Sequence, residues 1–253
     1  MAVLYGIHPI EEALGAGRPL ERLLVARGRG GRRVQEAIQA ARQANIPVRF
    51  VERTELDRLT GGTKHQGVAA ITGAKRYLEL EDLLARALPS SGRARAPALF
   101  LLLDGVEDPR NLGAILRTAY CAGVDGVVLP ERRAAGITPA AEKVSAGASE
   151  HVSVARVTNL GRALERLKEA GCWLIGLDER AEKIFTEADY SGPVGLVLGG
   201  EGKGLHQKVR EKCDFVVSIP TAGAIASLNV SVAAGVVLYE VVRQRRAKRV
   251  ARR

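Results

Sequence analysis

Five short, uninterrupted apolar runs in the second half of the chain restrict the folds open to it. They occupy residues 99–103, 126–129, 173–177, 194–198 and 215–219. Runs of this length are typical of strands that are buried on both faces of a parallel sheet. Helical patterns separate them at residues 109–122, 160–170 and 205–212, and a long helix is predicted over 228–246. The pattern therefore predicts a doubly wound α/β domain with a parallel sheet.

The first half of the chain alternates shorter strand and helix patterns. Strands are predicted at residues 20–26, 48–51 and 68–71, and helices at 33–44 and 54–59, which indicates a compact α/β sandwich. A composition break follows, in which a short helical pattern (LELEDLLARAL) leads into PSSGRARAP, a segment typical of a linker. We therefore expect a small domain over 1–73, a linker over 74–97 and a larger domain over 98–253.

The charge of the chain is unevenly distributed. The chain has 38 Lys and Arg against 28 Asp and Glu, a formal net charge of +10, and seven of the basic side chains fall in the last eleven residues, RQRRAKRVARR. A basic segment of this kind can bind nucleic acid by releasing counterions. A solvated helix end would have the same composition, although the tail alone favours nucleic acid.

Other features of the composition exclude several classes of protein. Cys121, Cys172 and Cys213 are widely spaced and form no CxxC or Cys/His cluster, so neither a disulfide framework nor a metal site is expected, and a cytoplasmic setting is the simplest interpretation. The longest apolar stretches, 98–103 and 232–239, are far shorter than the ~20 residues of a membrane helix. The first residues lack the basic region of a signal peptide.

The first of three informative loops follows the first apolar run. Asp108 is placed to cap a helix that has Pro109 at its first position, and the apolar residues that follow recur at helical spacing. This arrangement leaves Asn111 and Arg117 without a structural role. Because they lie six residues apart, about 120° around an ideal helix, a shared site would need a second surface. Each of them alone is equally explained as a polar residue on a helix surface.

The second loop, VLGGEGKGL, spans residues 197–205 and lies where a strand ends, the usual place for ligands in open α/β sheets. Because the P-loop and GxGxxG patterns are both absent, a dinucleotide-dependent oxidoreductase is excluded. Glu201 would repel a pyrophosphate, so a less acidic ligand or a cation fits better. Gly199 and Gly200 would let the backbone approach such a ligand closely. A tight structural turn is the alternative.

The third loop lies within SIPTAGAIASLNVSVAAGVVLYE, residues 218–240. A strand ends near Ile219, a loop of small residues follows, and Ser227, Leu228 and Asn229 lead into a helix that is apolar nearly all round. Ser and Asn at such positions could simply cap the helix. A terminal helix with so little polar surface is expected to be buried or to pack on a partner chain.

Together and in this order, the three loops resemble those of the SpoU (TrmH-like) family of RNA methyltransferases in the SPOUT superfamily. The matching strings are DPRNLGAILRTA, LVLGGEGKGL and IPTAGAIASLNVSVAAGVVLYE, while GIHPIEEAL at 6–14 and TKHQGVAA at 63–70 are similar to the substrate-binding domain of many members. The resemblance implies a parallel-sheet domain with a C-terminal trefoil knot, an exception to the rule that chains are unknotted. It also implies an S-adenosylmethionine cofactor, an RNA substrate and a homodimer.

The resemblance further assigns residues to the site. Cofactor binding maps onto Gly199, Gly200, Ile219 and Leu228, largely through backbone groups. The functional polar residues of the family map onto Asn111, Arg117, Glu201, Ser227 and Asn229. An active site drawn from both chains of a dimer would supply the second surface that Asn111 and Arg117 require.

The implied reaction is methyl transfer to a ribose 2′-hydroxyl, and the branch resembled most modifies a guanosine of 23S rRNA. Because a guanidinium is effectively never deprotonated in a protein, we expect Arg117 to fix the target phosphate and stabilise the developing alkoxide. Whether the proton leaves transiently through Arg117 or through water stays open. Asn111 and Asn229 are expected to bond ribose or backbone, and Glu201 to orient Arg117 or a loop amide.

Two alternative functions stay open. The first is a methyltransferase of the same family that acts on tRNA or another rRNA site. The N-terminal domain argues only against the minimal tRNA enzymes, which lack it. The second is a non-catalytic RNA-binding factor for ribosome assembly, which would be expected to lack Asn111 or Arg117, although both are present.

Overall fold

The computed structural model of the chain describes residues 2–73, 77–88, 96–200, 204–223 and 227–251. The strands are β1 (Ala2–Tyr5), β2 (Leu20–Ala26), β3 (Val48–Val51), β4 (Val68–Thr72), β5 (Leu99–Asp104), β6 (Gly126–Pro130), β7 (Val154–Val157), β8 (Trp173–Leu177), β9 (Val194–Gly199) and β10 (Phe215–Val217). The α-helices are α1 (Ile7–Gly15), α2 (Arg32–Gln43), α3 (Arg53–Leu59), α4 (Leu80–Ala87), α5 (Pro109–Ala122), α6 (Pro139–Val144), α7 (Leu160–Glu169), α8 (Gln207–Arg210) and α9 (Val230–Ala251). The chain forms two compact units, unit 1 (Met1–Arg76 and Ile137–His151) and unit 2 (Tyr77–Gly136 and Val152–Arg253).

Unit 2 is built on a sheet of six strands, ordered β10-β8-β9-β5-β6-β7, in which the neighbours among the described residues are all parallel. The predicted parallel α/β domain is confirmed, and each of the five apolar runs forms one strand. The sequence pattern did not predict β7, because this strand has only four residues, includes Arg156 and is only half buried. Helix α8 is shorter than the predicted helix over 205–212, and α9 continues beyond the predicted end at 246.

Helices pack on both faces of this sheet. On one face, α4, α7 and α8 contribute to an aliphatic cluster that includes Phe100 and Leu102 of β5 and Leu174 of β8. Because side chains alternate along a strand, the buried Leu99 and Leu101 point to the opposite face. There α5 and α9 pack against each other, and α9 contacts β9. Among the helices of the described residues, none combines the length and the apolar character that crossing a bilayer requires.

Helix α4 lies inside the segment that the sequence pattern assigned to a linker. Its Leu83, Leu84 and Ala87 are buried in the cluster of unit 2. A Cβ on Gly126 of β6 would lie 2.5 Å from the Leu83 side chain, so the helix packs directly on the sheet. This part of the segment is therefore structural, and the residues of PSSGRARAP up to Arg95 fall outside the described residues.

Unit 1 contains a mixed sheet ordered β1-β4-β2-β3, in which β2 and β3 are parallel and the other pairs antiparallel. Helices α1 and α2 bury their apolar faces on one side of this sheet, and Leu56 of α3 is buried on the other. The predicted strands and helices are present. Strand β1 and helix α1 were not predicted, because the spacing of their apolar residues does not distinguish a strand from a following helix. Unit 1 is thus an α/β sandwich.

The segment Ile137–His151 belongs to unit 1 although it follows β6 of unit 2 in the chain. Arg18 lies 2.5 Å from a carboxylate oxygen of Glu142 and 2.7 Å from one of Glu150, and all three side chains are at least nine-tenths buried. Burial lowers the pKa of Arg18, but attraction and hydrogen bonding to Glu142 and Glu150 raise it above its usual value. Removal of Arg18 would leave buried carboxylates uncompensated, so this cluster ties the segment into unit 1.

Candidate active site

The ends of β8 and β9 border a cleft with a volume of about 340 Å³, a size suited to a small-molecule ligand. We term it the glycine-loop cleft. Its wall includes six residues that the sequence analysis assigned to the site: Gly199, Gly200, Ile219, Ser227, Leu228 and Asn229. The fold thus brings together residues from distant parts of the chain. Glu201, assigned to the same site, lies outside the described residues.

The wall of this cleft requires glycine at two positions. The Gly200 backbone N–H donates to the carbonyl oxygen of Asp104 at 2.7 Å, and a Cβ on Gly200 would lie 2.0 Å from the carbonyl oxygen of Gly105. A Cβ on Gly199 would lie 2.1 Å from the carbonyl carbon of Gly204. The sequence analysis expected these glycines to let the backbone approach a ligand closely. The structure shows that they let two backbone segments approach each other, and backbone atoms cannot rotate aside to make room for a Cβ.

Asp104 is a site residue that sequence reasoning missed. It ends β5 and is buried, and its carboxylate accepts a hydrogen bond from the backbone N–H of His206 at 2.8 Å. The Nδ1 atom of His206 lies 3.0 Å from the other carboxylate oxygen. The Asp104 carbonyl also accepts the hydrogen bond from Gly200. Asp104 therefore binds the backbone on both sides of the glycine loop, which is the glycine-rich segment after β9, and fixes it to the central strand β5. The sequence feature that could have identified Asp104 is the single acidic residue at the end of the otherwise apolar run LFLLLD.

A second cleft, of about 460 Å³, shares Gly200, Gly204 and Val230 with the first. We term it the Asn111 cleft, because Asn111 lines it. Asn229 lines the first cleft, and its Nδ2 atom donates to Oδ1 of Asn111 at 3.1 Å. The two predicted asparagines therefore meet where the clefts adjoin, an arrangement that can hold two ligands side by side.

Asn229 also caps the start of α9, as the residue that precedes Val230. Its Oδ1 atom accepts hydrogen bonds from the backbone N–H of Ser231 at 2.9 Å and from the Ser231 hydroxyl at 2.6 Å. The capping interpretation of the third loop therefore applies to this residue. The amide oxygen of Asn229 therefore caps the helix, while its amide nitrogen donates a hydrogen bond to Asn111. This one side chain connects the start of α9 to the candidate site.

Arg117 lies apart from both clefts within one chain. It is exposed on α5, six residues after Asn111, which is about 9 Å along a helix axis. Among the described residues, it forms no hydrogen bond or ion pair, and it is not one of those that line either cleft. The structure of one chain therefore does not bring Arg117 together with the other predicted site residues.

Asp178 gives the glycine-loop cleft an ionised wall. Its buried carboxylate accepts hydrogen bonds from Arg180, at 2.8 Å from Nη2, and lies 3.3 Å from Nε of Arg210. The Arg180 hydrogen bonds hold the pKa of Asp178 below its usual value, although burial acts in the opposite direction. The carboxylate thus stays ionised near neutral pH, and the two arginines balance its charge. Within the described part of the chain, no group of three or more His, Cys, Asp or Glu residues could hold a metal ion.

Comparison with known proteins gives this arrangement a class. The model of the SpoU rRNA Methylase family matches residues 98–239, and a model described as RNA 2′-O ribose methyltransferase substrate binding matches residues 3–78. The chain belongs to the SpoU methylase family and is an RNA methyltransferase.

Individual relatives agree with this class. The chain is 41% identical over 250 residues to the 23S rRNA (guanosine-2′-O-)-methyltransferase RlmB of Pseudomonas putida, covering 97% of this chain and 98% of the relative. It is 44% identical over 240 residues to YacO of Bacillus subtilis, which carries the name of a TrmH family tRNA/rRNA methyltransferase, covering 95% and 94%. The crystal structure of the SpoU methyltransferase AviRb from Streptomyces viridochromogenes with AdoMet matches with a TM-score of 0.79 and 27% identity, covering 97% and 90%.

Proposed function

We propose that the chain transfers a methyl group from S-adenosylmethionine to the 2′-oxygen of a ribose in RNA, in the cytoplasm, and that its target is a guanosine of 23S rRNA. The observation that carries the proposal is the contact of Asn111 and Asn229 at the junction of two clefts. A methyl donor and an acceptor nucleotide must lie side by side in such a reaction. The name of the Pseudomonas putida relative supports the choice of a 23S rRNA guanosine.

The glycine-loop cleft fits S-adenosylmethionine by its chemistry. Gly199, Ile219 and Leu228 offer backbone groups and an apolar surface, and Glu179, an acid on the same wall, suits a cationic ligand better than a pyrophosphate. When bound, the cofactor supplies a methyl group on an electrophilic sulfonium. The AviRb complex with AdoMet supports the same use of this fold.

The polar residues of the chain then have distinct tasks. A ribose 2′-hydroxyl is a weak acid and a weak nucleophile, so it must be oriented and its proton removed. The amide groups of Asn111 and Asn229 can hold the ribose at the junction of the clefts. Ser227, also on the cleft wall, is assigned to positioning the ligand. Arg117 is assigned to the phosphate and the developing alkoxide.

Because Arg117 lies apart from the clefts, we propose that it acts in the partner subunit of a homodimer. Tyr120 of α5 and Val232 and Tyr239 of α9 are each about half exposed, and the last two lie seven residues apart, on one face of the helix. An exposed apolar surface on a packed helix pair is typical of a subunit interface. Arg117 lies one turn from Tyr120, so a partner docked here would place Arg117 beside a neighbouring chain.

The target is tested by mapping ribose methylation in total RNA from a deletion strain. We expect one guanosine of 23S rRNA to lose its 2′-O-methyl group, and a plasmid carrying the wild-type chain to restore it. Loss of a methyl group in tRNA, or at another rRNA position, would contradict the target but keep the reaction. Unchanged methylation together with defective ribosome assembly would contradict the reaction and favour the assembly-factor alternative.

The structure also directs the test of the basic tail. Gln244 bonds the backbone of Ala188 and Tyr190, and Arg245 donates to the carbonyl oxygens of Pro97, Ala98, Tyr190 and Gly192. These two residues hold α9 to the fold, so a truncation must begin after Arg245. We expect removal of residues 246–253, which include five basic side chains, to flatten the plot of log K for RNA against log salt by about 0.7 for each phosphate that the shortened chain no longer neutralises.

Removal of residues 252–253 alone is the matched control, with an intermediate slope expected. The measurement is RNA affinity by anisotropy at several salt concentrations. An unchanged slope in the longer truncation would identify the tail as a solvated helix end.

A further inference from the structure

An exposed aromatic pair lies on the edge of the unit 2 sheet, outside the candidate active site. The side chains belong to Trp173, the first residue of β8, and Phe215, the first residue of β10, and they are 54% and 41% exposed. Their ring centroids are 5.5 Å apart with a tilt of 32°. The Nζ atom of Lys183 lies 5.3 Å from the centroid of the Phe215 ring. We term these three residues the aromatic edge.

The two rings of the aromatic edge lie at the opposite end of the sheet from the glycine-loop cleft, and Lys183, whose carbonyl oxygen accepts a hydrogen bond from the Ser218 N–H, extends its side chain back to them. The cleft borders the carboxyl ends of parallel strands, whereas Trp173 and Phe215 open β8 and β10. Phe215 pairs with Ile175, which lies two residues after Trp173, so both aromatic side chains point to the same face of the sheet. This is the face that carries α5 and α9.

The basic end of α9 lies beside the aromatic edge. The Trp173 backbone N–H donates to the carbonyl oxygen of Pro193 at 3.0 Å, and the preceding residue, Gly192, accepts a hydrogen bond from Arg245 at 2.8 Å. Helix α9 therefore begins at the cleft, where Val230 is part of the wall. At Arg245 it passes the amino ends of the sheet strands. Arg249 lies about 28 Å along the helix from Val230.

The charges around the aromatic edge favour a polyanion. The carboxylate of Asp214 is paired with Lys168 at 2.7 Å, and that of Asp189 lies 3.5 Å from Lys248. Lys183 and, on α9, Arg246 and Arg249 are exposed and form no ion pair with any described residue. The carboxylates of Asp214 and Asp189 are thus paired, and the three exposed cations outnumber the exposed Glu182, which adjoins Lys183 in the chain.

We propose that the aromatic edge binds unpaired nucleotides of the RNA substrate at a distance from the reacting ribose. Trp173 and Phe215 stack bases, and Lys183 with the exposed cations of α9 binds the adjoining phosphates. Stacking tolerates any base, so this surface adds affinity for a single-stranded segment without selecting the methylated nucleotide. The inference rests on the proposed function, since it supplies a second contact for the same RNA.

The test uses the fluorescence of Trp173, which is the one tryptophan of the chain. Full-length protein is titrated with a 12-nucleotide oligouridylate and, separately, with a 12-base-pair RNA duplex of mixed sequence. We expect the single strand to quench the fluorescence and high salt to reverse the effect, whereas the duplex quenches little. A single strand that binds by anisotropy but leaves the fluorescence unchanged would overturn the proposal.

Variants separate stacking from charge and from protein assembly. We expect Trp173→Leu to weaken oligouridylate binding roughly 5- to 100-fold, Trp173→Phe to restore most of it, and Lys183→Gln to weaken it less and reduce its salt dependence. With the natural RNA, Trp173→Leu should raise KM and leave kcat unchanged. A change of oligomeric state in Trp173→Leu, measured by sedimentation, would overturn the proposal in favour of a protein contact. Absence of methyl transfer by the wild-type chain would contradict the proposed function alone, because the quenching is measured without it.

Discussion

Arg117→Lys is expected to lower the single-turnover rate of RNA methylation roughly 30- to 900-fold, equivalent to a loss of about 2–4 kcal/mol of transition-state stabilisation. Lysine keeps the charge but loses the planar fork that can hold phosphate and developing alkoxide together. Affinity for S-adenosylmethionine, measured by calorimetry, should be nearly unchanged because Arg117 is not part of the cleft wall. Arg162→Lys, at an exposed position on α7, is the matched control and should retain the wild-type rate.

The rate of Arg117→Ala decides whether this residue belongs to the site. A wild-type single-turnover rate in that variant would remove Arg117 from the mechanism and leave it as a surface residue of α5.

A mixture of two impaired variants, assayed at an S-adenosylmethionine concentration too low to saturate Gly200→Val, tests whether Arg117 acts across a dimer. We combine Arg117→Ala subunits with subunits that carry Gly200→Val. If each site uses the glycine loop of one chain and Arg117 of the other, a mixed dimer contains one intact site, and activity rises above that of either variant alone. If both residues act within one chain, no intact site forms, and the mixture shows no more activity than the two variants measured separately.

Gly200→Val is expected to weaken S-adenosylmethionine binding at least tenfold, which corresponds to about 1.4 kcal/mol or more. The new Cβ would lie 2.0 Å from the Gly105 carbonyl oxygen, so the end of β9 must move away from β5 and distort the cleft. A β-branched side chain increases the displacement. Calorimetry on the folded variant measures the effect.

Gly192→Ala is the matched control for this substitution. A Cβ at Gly192 meets no atom within 4 Å, so cofactor affinity should equal that of the wild type. Wild-type affinity in folded Gly200→Val would show that the glycine loop does not shape the cofactor site.

The sequence predicts the parts of this fold that depend on continuous apolar burial. The run LFLLLD became the fully buried β5, and the proline and aspartate at 108–109 became the start of α5, where Asp108 accepts a hydrogen bond from the Arg110 N–H. Strand β7 escaped prediction because it is the last strand of the sheet, where only a bridge to Leu78 lies beyond it among the described residues, so its residues need not all be apolar. A pattern of apolar residues indicates burial, so it does not identify elements that are only partly buried.

The candidate site was predictable to a lesser extent. Local patterns singled out Gly199, Gly200 and Asn229, but only the resemblance of three loops connected them. The reason Gly200 must be glycine involves Gly105, almost a hundred residues away, and no local pattern contains that contact. Asp104 was missed for the same reason, because its partner His206 follows the glycine loop. The position of Arg117 relative to the clefts depends on a second chain and stays a prediction.

The path of the chain through Ile137–His151 has a consequence for how the protein is made. Synthesis proceeds from the amino terminus, and domains generally fold in that order as they emerge from the ribosome. Unit 1 cannot complete its buried ionic cluster until Glu142 and Glu150 have been synthesised, by which time β5 and β6 of unit 2 have also emerged. Arg18 therefore has neither of its two carboxylate partners until more than a hundred further residues have been translated. The first part of the chain to appear thus cannot finish folding until part of unit 2 has also been synthesised.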